Sequence, residues 1–179
     1  MRDFFKMISI LFITCGLAAG SLAVVNMVTR ERIALWEKQR KETALKVICG
    51  NADEFREVTP GSAWEALSKG EKTGTAFLVQ VQGYSGPITL MFGTDNNGAI
   101  TGLEVLGHTE TPGLGAKIVT AAFRDQFKGK LVDRLKLKKD SPQDGGVDAI
   151  TGATISSRAV TKALRTTLES QKAQSGEGK

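Results

Sequence analysis

The chain of 179 residues has little of the things that mark several common functional classes. It has two cysteines, Cys15 inside an apolar run near the N-terminus and Cys49 beyond it. A bridge between them would join a bilayer-embedded position to the folded part. The sequence therefore supports neither a disulfide framework nor a metal cluster, and no metal ligand is assigned. Aromatic residues make up 6% of the chain, and its 24 basic and 19 acidic residues are interspersed. Nucleic-acid readers interleave aromatics with basic residues or gather their charge on one face, so nucleic acid is not an expected partner. The net charge of +5 reads instead as a solvated surface plus cations flanking a membrane. There is no internal repeat, and the length allows one ordinary domain and an anchor but not two full domains.

What is present begins with the apolar residues, 41% of the chain and enough for a packed core. From Phe4 to Val28 the sequence is almost wholly apolar or small, with Lys6 its only charge. Met7 to Val28 is long enough to cross a hydrocarbon layer of roughly 30 Å at about 1.5 Å per residue. A cleaved secretory signal is the alternative, with Ser21-Leu22-Ala23 as a small-x-small site. Apolar residues continue past that site through Val24, Val25, Met27 and Val28, which favours a retained transmembrane anchor over residues 1–28. Arg2 and Lys6 precede the Met7–Val28 span, whereas Arg30, Arg32, Lys38, Arg40 and Lys41 follow it. By the positive-inside rule that bias leaves the large domain in the cytoplasm.

Residues 29–50 read as a helical stalk, with Ile33, Leu45 and Ile48 recurring among charges at helical spacing until Gly50-Asn51. A loop is predicted at Thr59-Pro60-Gly61-Ser62. Three antiparallel strands are predicted between Thr75 and Leu106, where short apolar, β-branched segments are separated by turn residues such as Asp95-Asn96-Asn97-Gly98. A short helix is predicted between Ala116 and Lys130, another strand in LVDRLKLKK (131–139), and an amphipathic helix after Thr154. The expected class is α+β: a single N-terminal transmembrane helix, then a small domain at 51–170 with an antiparallel sheet flanked by helices. A flexible tail is expected at 171–179.

The chemistry concentrates in Val147-Asp148-Ala149-Ile150-Thr151-Gly152-Ala153-Thr154-Ile155-Ser156-Ser157-Arg158. An apolar stretch runs through small residues into a helix, so free backbone N–H groups near Gly152 to Ser156 suit a phosphate. The plainer reading makes Thr154 an ordinary helix cap, since a Thr at a helix start usually needs nothing but its own backbone. Upstream, Gly107-His108-Thr109-Glu110-Thr111-Pro112-Gly113-Leu114-Gly115 forms a loop in which glycines permit close backbone approach and Pro112 stiffens the turn.

Asp148 to Ser157 resembles the flavinylation motif of the FMN-binding domain shared by the G subunit of the Rnf electron transport complex and the C subunit of the Na⁺-translocating NADH:quinone reductase. The Glu110-Thr-Pro-Gly-Leu-Gly115 loop and the Gly83-Tyr84-Ser85-Gly86-Pro87-Ile88 segment are similar to that family too and stand in its order, covering roughly residues 75 to 165. The short chain favours the Rnf member of the pair. The resemblance implies FMN bound covalently to Thr154 by a phosphoester, with Thr151, Gly152, Ala153 and Ser156 around it. It further implies flavin contacts from Glu110, Thr111, Gly113, Leu114, Gly115 and Lys117, and no catalytic residue of the chain's own. A flavin transferase is implied for maturation, together with other integral and iron–sulfur subunits of a membrane complex. The implied location is the bacterial inner membrane, single-pass, with the large domain on the periplasmic side, against the charge bias.

His108, the only histidine, either tunes the flavin or is an exposed polar residue. Tyr84, Trp36 and Trp64 are candidates for stacking on the flavin or for ordinary packing. The function expected is that of an electron-transfer component in an ion-translocating redox complex. A flavin-binding sensor or assembly factor is the alternative, and a non-redox module with Thr154 as a cap is a third. Flavin potential, transported ion and redox partners are not legible in the sequence.

Overall fold

A computed structural model describes residues 2–50 and 52–176, which fall into two compact units, Met1–Arg40 and Lys41–Lys179. The first unit is helical: it holds most of α1, Arg2–Ile48, a rod of about 70 Å at 1.5 Å per residue. Its apolar side chains are bare, Phe12 being 79% exposed. Among the described residues this is the one helix long and apolar enough to cross a membrane. Its hydroxyls bond within the helix: Ser9 donates to Phe5 O, Thr14 to Ile10 O and Thr29 to Val25 O.

The second unit is built on five antiparallel strands in sequential order: β1 (Glu54–Thr59), β2 (Ala63–Ser68), β3 (Glu71–Gln82), β4 (Pro87–Asp95) and β5 (Ile100–His108). The three predicted strands are β3, β4 and β5. Asn97 and Ala99 N–H groups bond the Asp95 carboxylate at 2.9 Å and so fix the turn between the last two.

β4 is covered on both sides, so its sequence is nearly continuously apolar. Ile88, Leu90 and Phe92 point to one face and join Phe77, Ile100, Phe123, Phe127, Val160 and Leu164 in the main core. Met91 points the other way and packs with Ala76 against Ala44, Leu45 and Ile48. That second contact is close because β4 and β5 pair Gly93 with Gly102. A side-chain carbon on Gly102 would stand 3.1 Å from Ile48 Cα, and one on Gly93 would stand 3.3 Å from Ile48 O.

Two elements differ from expectation. The helix predicted over 116–130 is broken into a 3-10 turn (Gly115–Val119), a single α-turn α2 (Ala121–Arg124) and a further 3-10 turn (Asp125–Phe127). Thr120 is extended, with φ −73° and ψ 145°, and interrupts the run. The strand predicted at 131–139 is a 3-10 turn at Val132–Arg134, followed by one parallel bridge from Leu137 to Val147. The final helix α3, Thr154–Gly176, packs Val160, Ala163, Leu164 and Leu168 into the main core. Residues 177–179 of the expected tail, and Asn51 at the end of the stalk, lie outside the described residues.

Candidate functional site

Four segments line one cleft of about 740 Å³, within the roughly 300–1,000 Å³ usual for small-molecule sites. The β3–β4 turn contributes Tyr84; the loop after β5 contributes Glu110, Thr111, Leu114 and Gly115. Gly152, Ala153, Thr154, Ile155 and Ser156 come from the entry into α3, and Lys139 from the segment between the two.

Glu110 ties these segments together. It is 4% exposed, and both carboxylate oxygens are occupied by the protein. Oε1 accepts the N–H groups of Tyr84 at 2.8 Å and Ser85 at 3.2 Å, and Oε2 accepts the Ser156 hydroxyl at 2.6 Å. A buried carboxylate held by three donors is a fastening, because removing any one of them leaves charge poorly solvated. Gly83 and Gly115 make room for it: a side-chain carbon at Gly115 would lie 2.6 Å from Oε2. The Glu110 N–H in turn donates to His108 Nδ1 at 3.2 Å, which places the single histidine, half-buried, under the loop.

The entry into α3 is fixed just as closely. Ser157 Oγ accepts the Ile150 N–H at 3.0 Å and donates to Ala153 O at 2.9 Å, closing the turn in which Gly152 takes φ +78°. Asp148 is clasped by Gln126, whose Oε1 accepts the Asp148 N–H at 2.8 Å, and its carboxylate pairs with Lys138 at 2.7 Å. Arg158 binds both oxygens of Asp140 at 2.7 Å, and these hydrogen bonds hold the Asp140 carboxyl below the usual carboxylate range. Thr154, by contrast, opens the helix with a half-buried side chain whose hydroxyl bonds no described residue. The Ser157 N–H goes to Ala153 O, so Thr154 does not cap this helix. The first-turn N–H groups of α3 have no acceptor one turn back, which makes this corner attractive to an anion.

Of the residues singled out from sequence, Thr154, Gly152, Ala153, Ser156, Glu110, Thr111, Leu114 and Gly115 line the cleft. Thr151, Gly113 and Lys117 do not. Tyr84 lines it and is 66% exposed. Trp64 packs in the second cluster instead, and Trp36 lies exposed on α1. Lys139 was not distinguishable in sequence, standing among Lys136 and Lys138 in a run that reads as a strand.

The sequence pattern of the FMN-binding domain matches residues 83–169, the stretch that builds this cleft. The chain is similar to the G subunit of the proton-translocating ferredoxin:NAD(+) oxidoreductase complex of Clostridium ljungdahlii, 36% identical over 89% of this chain and 86% of the relative. It is similar also to the G subunit of the Na(+)-translocating ferredoxin:NAD(+) oxidoreductase complex of Acetobacterium woodii, 31% identical over 92% of this chain and 90% of the relative. Among solved structures, the C subunit of the Na(+)-translocating NADH-quinone reductase of Parabacteroides distasonis aligns with TM-score 0.50 and 29% identity, over 59% of this chain and 58% of that one. A likeness to these G subunits along nearly its whole length, with the FMN-binding domain where the cleft is, places the chain in the family of G subunits of ion-translocating oxidoreductase complexes.

Proposed function

We propose that the protein is an electron-transfer component of a membrane-bound, ion-translocating redox complex, with FMN held in the cleft and joined through a phosphoester to Thr154. The observation that carries the attachment is the Thr154 hydroxyl. Its neighbours Ser156 and Ser157 are bonded into the fold, whereas Thr154 lines the cleft at the start of a helix with its hydroxyl bonded to no described residue. The cleft suits the cofactor chemically: helix N–H groups for the phosphate, and Tyr84, Leu114 and Ile155 as apolar surface for a flat ring. FMN when bound supplies one- and two-electron steps, while the protein sets its position and potential.

Attachment needs no base from this chain. Thr154 Oγ forms a bond to the flavin-side phosphorus of FAD, the pyrophosphate P–O bond breaks, and AMP leaves. The hydroxyl proton passes to a base on a separate flavin transferase, and nothing is oxidised or reduced. Glu110 is a poor candidate for that base, since its oxygens already accept three donors.

We read α1 as a membrane anchor, supported by its length and apolar composition, and take as partners other members of the complex, integral and iron–sulfur subunits among them. The names of the relatives include both a proton- and a sodium-translocating complex. We place the large domain outside the cytoplasm; a reporter fused after Lys179 that is active only in the cytoplasm would reverse this.

The attachment is tested by intact mass and in-gel flavin fluorescence of denatured protein made with its transferase. Wild type should carry the mass of one flavin mononucleotidyl group and fluoresce, and Thr154→Ala should do neither. Absence of flavin from both, with the transferase shown to be active, ends the covalent reading.

A further inference from the structure

The cleft contains a positive charge that the fold does not use. Lys139, an exposed residue, lines it and forms no salt bridge among the described residues. Three other cations of these segments are engaged: Lys138 with Asp148 at 2.7 Å, Lys136 with Asp144 at 3.8 Å, and Arg158 with Asp140. Asp140, the chain neighbour of Lys139, already accepts two hydrogen bonds from Arg158 and feels Lys139 only as a weaker attraction through space. The one carboxylate lining the cleft is Glu110, whose oxygens are filled by Tyr84, Ser85 and Ser156. The cleft therefore combines a free ammonium group with the open N–H groups of the first turn of α3, and has no acid left to balance either. Both features select an anion.

We infer that Lys139 is the cationic partner of the cofactor phosphate, pairing with it in the cleft that Thr154 lines. This rests on the flavin reading of the same cleft. An ammonium on a flexible stem suits a phosphate as a point charge, without the fixed fork geometry of an arginine. The pairing outlasts attachment, because a phosphodiester keeps one negative charge.

The test uses the full-length chain in detergent, produced without a flavin transferase so that no ester forms, and compares FMN with riboflavin, which lacks the phosphate. Binding is read by quenching of flavin fluorescence. Wild type should hold FMN more tightly than riboflavin. Lys139→Ala should weaken FMN about tenfold at low salt and leave riboflavin unchanged, with Lys139→Arg restoring most of the loss. The difference should shrink as salt is raised. Equal weakening of both ligands would put the lysine against the ring and overturn the assignment. So would an unchanged FMN affinity in Lys139→Ala, or FMN binding no better than riboflavin in wild type. Failure of the Thr154 attachment appears separately, in the intact mass of transferase-treated wild type.

Discussion

Phe12 and Phe92 are the same side chain in opposite surroundings: one is 79% exposed on α1, the other wholly buried between β4 and its neighbours. The contrast extends to the polar groups. Along the apolar run, Ser9, Thr14 and Thr29 bond to carbonyls four residues earlier on their own helix. In the FMN-binding domain, Ser156 and Ser157 bond to other segments, 46 and 7 residues away in the chain. One region satisfies itself and leaves its apolar surface bare, an arrangement suited to an apolar solvent such as a bilayer. The other buries its apolar surface and, beside the same back-bonds along α3, uses polar groups as cross-links. Apolar content alone does not separate the two; burial does, together with the cross-links that Ser156 and Ser157 add.

That contrast can be broken from either side. Phe92→Ala should lower the stability of the domain by about 3–5 kcal/mol, seen in urea unfolding, and leave membrane extraction unchanged. Leu17→Arg should do the reverse, costing roughly 3 kcal/mol in membrane insertion with the domain melting as before. Equal effects of both on domain melting would show that the exposed run belongs to the fold. A smaller loss comes from Ser157→Ala, which leaves the Ile150 N–H unpaired and should cost about 1–3 kcal/mol, against less than about 0.5 kcal/mol for Thr14→Val. The smallest difference at neutral pH involves the cysteines. Burial pushes the Cys49 thiol up to about 11, whereas Cys15 is exposed. A thiol whose folded pKa exceeds its unfolded value, near 8.5–9, favours the folded state fully below that range and loses the effect as pH rises towards 11. Wild type should therefore lose more stability than Cys49→Ala between pH 9 and 11, and the two should run parallel below pH 8.

Long periodic elements were legible in the sequence. The apolar run and stalk, strands β3 to β5 and helix α3 carry strong patterns of one period each. β1 and β2 were missed for a physical reason. EFREVT lies exposed at a sheet edge and shows little alternation, and AWEALS is built of good helix formers that become a strand by pairing with β3. In the 131–139 segment the alternation was real, since Leu135 and Leu137 are both buried, but among the described residues its one ladder partner is Val147. At the site, the two motifs stood out by their residues, but nothing in their spacing shows that Glu110 bonds Ser156. Lys139 differs from Lys138 only in what the fold places beside it.

The Glu110 fastening has a consequence for how the cleft comes apart. One carboxylate joins the turn after β3, its own loop and the first turn of α3, so these segments cannot loosen independently without leaving a buried charge unsolvated. The cleft wall should behave as a single cooperative unit in hydrogen exchange, with the amides of Tyr84 and Ser85 opening together and at the same free energy as the start of α3.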